Sequence, residues 1–194
     1  TDNTDVYRYD GGIYARLSND LLSGYMKKPV EDYSKAIVKP KDIRDAVENL
    51  KTDIESCVSG DFNTNEDIIV FEDGVLNIKT GELFPHNSKY LSTIKIPCKY
   101  TADNGKIPTP LEAWETAKQE APVFCDYLKT LANYDKSAIT LLLEFMAVAI
   151  SNVQGWRFKK ALFLVGRGDT GKSKIFDLIN GLIGGNNTAE ASLS

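Results

Sequence analysis

The chain has 194 residues, of which 42% are hydrophobic, and this is enough apolar material for one full domain or two small ones. Its 27 acidic and 23 basic side chains are interspersed and give a net charge of −4, which excludes an acidic tail, a basic arm and a global attraction to nucleic acid. The single histidine excludes multi-histidine metal sites and histidine-based catalytic triads.

Three features of the sequence bear on the cellular location of the protein and on how much of it this chain represents. The cysteines, Cys57, Cys98 and Cys125, are far apart in sequence and odd in number, which indicates reduced thiols and a cytoplasmic setting in the host cell. The longest apolar run, 138–150, is shorter than the ~20 residues that a bilayer span needs, so it predicts a buried helix and no membrane partner. The chain begins without methionine, and we expect it to be an excised piece of a longer protein.

Turn signals divide the first hundred residues. The group Asp10-Gly11-Gly12 predicts a β-hairpin over 6–17. Apolar residues at helical spacing then predict a helix over 41–58, starting after Pro40 and stopping before Gly60. Further turns at Asp73-Gly74 and 79–81 predict three short antiparallel strands between residues 68 and 84.

The stretch 101–110 contains turn residues and two prolines, and it predicts a boundary. Helices are expected after it at 111–120, 123–132 and 136–151, the last of them capped by Asp135. The predicted organisation is an α/β module at 1–104, a helical segment of the same domain at 105–155, and the start of a nucleotide-binding domain at 156–194.

The third part contains the most specific motif. GRGDTGKS, residues 166–173, matches GxxxxGK[ST], a pattern expected by chance in about one chain in 150 of this length. The apolar run 161–165 before it predicts a buried parallel strand, and apolar positions from Ile175 to Ile183 predict one face of a helix after it. Strand, glycine loop and helix is the order that a phosphate-binding loop requires.

The chemistry of the motif follows from these residue types. Glycines let the backbone curl around phosphate oxygens, with amide hydrogens pointing inward at a helix start. Lys172, the candidate catalytic residue, would place its ammonium between the β- and γ-phosphates of ATP, and the Ser173 hydroxyl would be a ligand of Mg²⁺. The alternative is a glycine-rich turn between a core strand and a core helix. The candidate nucleotide-binding residues are Gly166, Gly168, Asp169, Thr170, Gly171, Lys172 and Ser173.

One compact basic cluster precedes the motif. Arg157, Lys159 and Lys160 stand beside Trp156, a combination that can contact a DNA backbone or stack on a base. The alternative is a solvated charge cluster ahead of a buried strand, which is what such runs usually are. We retain the three basic residues as candidate DNA contacts.

Four blocks in order carry a family resemblance. They are IIVFEDGVLNIKTGEL, YLSTIKIPCKY, the stretch with LLLEFMAVAI, and ALFLVGRGDTGKSKIFDLINGLIGG. Together they resemble the phage, plasmid and poxvirus primase-helicase family, which are superfamily 3 helicases of the AAA+ class. The resemblance implies an α+β helicase-associated domain, with short antiparallel strands and a helical segment, followed by a truncated α/β P-loop NTPase segment.

The resemblance also implies an activity. It indicates a fragment of a replicative ATP-dependent DNA helicase that assembles, in the family's usual form, as a ring of six copies, with a primase domain or partner. The family's acidic pair, sensor residue, arginine finger and pore loops would lie beyond Ser194, so we expect the isolated chain to be inactive. The alternative is a non-catalytic DNA-binding or assembly module that positions the helicase ring or recruits primase.

Overall fold

The computed structural model describes residues 5–34, 37–53, 61–102, 105–153, 155–168 and 170–189. Within these ranges the chain begins with a β-hairpin of strands β1, Tyr7–Asp10, and β2, Ile13–Arg16, as predicted. Gly11 and Gly12 have φ angles of 54° and 96°, a backbone conformation that glycine adopts without steric cost. The hairpin prediction is confirmed.

Two helices follow the hairpin and pack against each other. Helix α1, Asn19–Ser34, has no counterpart among the predictions, because Gly24 and Pro29 inside it are unfavourable helix residues. Helix α2, Pro40–Thr52, ends earlier than the predicted helix over 41–58, since the backbone becomes extended at Asp53. The last residues of that predicted helix, 54–58, lie outside the described residues, and Cys57 is one of them.

The predicted three-stranded sheet is confirmed. Strands β3, Ile68–Val70, β4, Val75–Asn77, and β5, Leu83–Phe84, pair antiparallel in the order β3-β4-β5. Both faces of this sheet are covered. On one face Ile68, Val70 and Val75 pack with Ile13 and Tyr90, and on the other Ile69 and Leu76 pack with Phe71 and Ile96.

The second half is helical, as predicted. Helix α3, Pro110–Glu120, begins with a capping box between Thr109 and Glu112, and α4, Pro122–Leu131, follows directly. Helix α5, Lys136–Ile150, is capped by the Asp135 carboxylate, which accepts from the amides of Ser137 and Ala138. The short α6, Gly155–Phe158, was not predicted, and α7, Lys172–Ile183, closes the helical part.

The segment before the motif does not form the predicted strand. Among the described residues neither sheet includes 161–165, and the segment runs without a strand partner. Its side chains nevertheless alternate: Leu162 and Leu164 pack on the helical core, whereas Phe163 and Val165 are 81% and 95% exposed. The prediction of a buried strand was wrong here because the ladder hydrogen bonds of a strand require a neighbouring strand.

The α/β part and the helical part are in contact despite the irregular connection between them. Ile150, at the end of α5, packs on the sheet, and Asn152 donates from Nδ2 to the carbonyl oxygen of Asn65 at 3.1 Å. Beyond α7, Asn187 donates to the carbonyl oxygen of Lys95 at 3.2 Å. Within the described ranges, no helix combines the length and apolar character that crossing a membrane would need.

Candidate nucleotide-binding site

The predicted loop ends where α7 begins. Gly171 is the residue before the first helical position and has φ 84° and ψ 1°, which is left-handed backbone that favours glycine. Its carbonyl oxygen accepts from the amide of Lys174 at 2.9 Å and so starts the helix. The first turn of any helix has amide groups without intrahelical acceptors, and these make its start suited to an anion. The loop therefore leads into a helix of twelve residues with its amino end at the motif.

Lys172 is turned back over the loop. Its Nζ donates to the Thr170 hydroxyl oxygen at 2.9 Å and also contacts the carbonyl oxygen of Arg167. A Cβ atom built on Gly166 would lie 3.7 Å from this Nζ, so the first glycine of the motif also lies beside the ammonium. Residues from both ends of the motif thus gather around one half-buried cation, whose two hydrogen-bond acceptors here are uncharged.

The other motif residues divide into three groups. Thr170 donates from its hydroxyl to the Arg167 carbonyl oxygen at 3.1 Å, which closes the loop locally. Gly168 and Ser173 are exposed, and Ser173 lies in the first turn of α7, one residue after Lys172. Asp169 lies outside the described residues.

A residue from another helix completes the site. Tyr127 of α4 donates from its hydroxyl to the carbonyl oxygen of Gly171 at 2.9 Å, and a Cβ atom on Gly171 would lie 3.4 Å from its ring. Burial raises the pKa of the Tyr127 hydroxyl, and the negative charge of Asp177 raises it further, so the hydroxyl stays protonated and able to donate. The sequence motif gave no indication of Tyr127, because the contact spans 44 residues.

The helical core holds α7 in place beneath the loop. Ile175 and Ile179 on its inner face pack with Leu128, Leu142 and Met146 from α4 and α5. The helical part of the same chain therefore covers the predicted apolar face of α7 at Ile175 and Ile179, whereas Phe176, which the prediction also placed on that face, is 48% exposed. Burial of this face fixes the helix whose amino end the loop joins.

The basic cluster is split by the structure. Arg157 forms an ion pair with Glu66, which joins α6 to the α/β part. Lys159 and Lys160 are exposed, and Lys159 has a φ of 47°. The side chain of Trp156 lies outside the described part of the chain. The geometry therefore distinguishes Arg157, which has an intramolecular partner, from the two lysines that follow it.

In the described part of the chain, no group of three or more histidine, cysteine, aspartate or glutamate side chains is arranged to hold a metal ion. Cys98 is exposed and Cys125 is buried, and both are free thiols.

Comparison with known proteins identifies the first two thirds of the chain. The family model described as D5 N terminal like matches residues 2–124, which is more than half of the sequence. The matched range covers the hairpin, the three-stranded sheet, α1 to α3 and the start of α4, and the motif at 166–173 lies after it. No curated protein matches the chain. The chain thus belongs to the D5 N-terminal-like family, whose domain is the N-terminal part of phage and plasmid primase-helicases of the D5 type.

Proposed function

We propose that this chain is part of a replicative ATP-dependent DNA helicase of the primase-helicase type, carrying the domain that precedes the motor together with its phosphate-binding loop. Membership of the D5 N-terminal-like family supports the primase-helicase context. The motif follows the family domain at the position where the motor of such an enzyme would begin. Self-association as a ring, and a primase domain or partner, belong to the same proposal.

The observation that supports the proposal most is the position of Lys172. Its ammonium lies over the glycine loop at the amino end of α7, held by uncharged oxygens of Arg167 and Thr170. These are hydrogen-bond acceptors that an anion can replace with a gain in electrostatic energy, since a charged acceptor binds an ammonium more strongly than a neutral one.

The motif residues fit a nucleotide in this arrangement. The loop glycines would supply backbone amides for the phosphates, Lys172 would neutralise charge on the β- and γ-phosphates, and Ser173 would be a ligand of Mg²⁺. Bound Mg²⁺ would supply charge compensation during phosphoryl transfer. The exposed position of Ser173 leaves its hydroxyl accessible for this role.

The test is a lysine replacement in the full-length protein that carries this chain. We expect Lys172→Ala to reduce ATP hydrolysis and DNA unwinding by orders of magnitude while the fold is kept. The matched control is Lys174→Ala on the same helix, because Lys174 is exposed and pairs with Asp177 at 2.9 Å. Near wild-type unwinding by Lys172→Ala would refute the proposed function.

DNA contact belongs to the proposal through Lys159 and Lys160. We expect the double replacement Lys159→Ala with Lys160→Ala to weaken single-stranded DNA binding by the full-length protein. The salt dependence of binding should then correspond to the release of about one to two fewer counterions. The control is Lys27→Ala with Lys28→Ala, an equally exposed pair on α1. Equal losses in the two double variants would show that the effect reports net charge alone. Arg157 remains a predicted contact, and its pairing with Glu66 makes it the weaker candidate.

A further inference from the structure

We propose that Tyr127 of α4 is a positioning residue for the phosphate loop, because its hydroxyl fixes the peptide group between Gly171 and Lys172. The inference rests on the proposed function, since it concerns how the nucleotide site is shaped. It adds to the site a residue outside the motif.

The first step is the geometry of one peptide group. Every peptide bond of the described chain is trans, so the carbonyl of Gly171 and the amide of Lys172 point in opposite directions. The carbonyl oxygen accepts two hydrogen bonds, from the Tyr127 hydroxyl and from the Lys174 amide, both at 2.9 Å. With the carbonyl held on that side, the Lys172 amide is directed the other way, toward the loop.

The second step is the freedom that this contact removes. Gly171 has left-handed backbone at φ 84°, and glycine also reaches many other conformations at little cost. A rotation of its peptide group would turn the Lys172 amide away from the loop. The Tyr127 hydroxyl opposes this rotation with a hydrogen bond that the rotated peptide cannot make.

The third step is the rigidity of the support. Tyr127 precedes Leu128, which is fully buried in the core shared by α4, α5 and α7. The Tyr127 ring lies against Gly171, so that a Cβ atom there would be 3.4 Å from it. The tyrosine is therefore held by the same core as α7, and the loop is braced from a second helix.

The experiment compares Tyr127→Phe with two reference variants of the full-length protein that carries this chain. Tyr127→Phe removes the hydroxyl and keeps the ring, Lys172→Ala removes the ammonium, and Tyr134→Phe removes a hydroxyl from a side chain that is 72% exposed. Calorimetric titration with ATP and Mg²⁺ measures the dissociation constant of each variant. We expect Tyr127→Phe to weaken binding about fivefold, as loss of one hydrogen bond does, and Tyr134→Phe to leave it unchanged.

A second readout separates positioning from stability. In nucleotide-free protein, the amide nitrogen and hydrogen NMR signals of Lys172 should shift in Tyr127→Phe, whereas those of Ile175 and Ile179 in the helix core should stay in place. If Tyr127 served stability alone, Tyr127→Phe would lower the melting temperature but would leave the Lys172 amide signals and the dissociation constant unchanged.

The outcomes distinguish the two proposals. If the full-length wild-type protein and its Lys172→Ala variant bind ATP equally, or neither binds, the proposed function fails and the role of Tyr127 falls with it. If Lys172→Ala weakens binding but Tyr127→Phe matches wild type, the nucleotide site stands and the positioning role is refuted. Weaker binding by Tyr127→Phe with a shifted Lys172 amide supports both.

Discussion

Replacing Ile175 with alanine should destabilise the protein by about 3 kcal/mol, because this side chain anchors α7 in the helical core. Ile175 is 0% exposed and packs with Leu128 and Met146. The change deletes three carbon groups at about 0.8 kcal/mol each, or about 2.4 kcal/mol of transfer free energy. The cavity left behind raises the cost, and large-to-small changes at such sites cost about 2–5 kcal/mol.

The assay is urea unfolding monitored by far-ultraviolet circular dichroism, with Leu178→Ala as the matched control. Replacement by alanine removes the same number of carbon atoms from leucine as from isoleucine. Leu178 lies on the same helix as Ile175 but is 40% exposed. We expect Leu178→Ala to lower the free energy of unfolding by about 1 kcal/mol, because folding buries less apolar area at this half-exposed position. Equal destabilisation by the two variants would refute the claim that α7 is packed into this core.

Three further predictions concern single side chains. Asp135→Ala should lower the free energy of unfolding by about 1 kcal/mol in urea titrations, because α5 loses its N-cap acceptor. Gly74→Ala should lower the stability measured by thermal unfolding by about 1–3 kcal/mol, because the added Cβ would lie 2.6 Å from the Phe84 carbonyl oxygen. The control is Gly181→Ala, whose added Cβ meets no atom within 4 Å and should not destabilise the protein. Burial raises the pKa of Tyr127 above its ordinary value of 10.0, so the protonated form is favoured in the folded state. The stability that protonated Tyr127 contributes is fully present below pH 10.0 and is lost as pH rises through the higher pKa of the folded state. In urea unfolding, wild type should therefore lose more stability than Tyr127→Phe between neutral and strongly alkaline pH. Parallel pH curves for the two proteins would contradict that assignment.

Local signals predicted much of the fold. The turns at Gly11 and Gly74, and the cap at Asp135, each act within a few residues, so the sequence alone locates them. Helix α1 was missed because Gly24 and Pro29 weaken its local signal, while packing against α2 supplies the stability.

Long-range contacts set the limit on what the sequence predicts. The segment 161–165 has the apolar composition of a strand, but composition does not provide the neighbouring strand that pairing needs. The pairing of Arg157 with Glu66 and of Tyr127 with Gly171 likewise joins residues far apart in the chain. The motif predicts which residues of the loop could bind phosphate, and only the fold reveals what holds that loop.

The most direct test of the account is to map the backbone amide NMR signals of the 194-residue chain as ATP and Mg²⁺ are added. The account predicts that the largest shifts fall within 166–173 and the first turn of α7, and that Lys172→Ala abolishes them. Shifts concentrated elsewhere in the chain, or an unchanged pattern in Lys172→Ala, would contradict the claim that this loop is a nucleotide site.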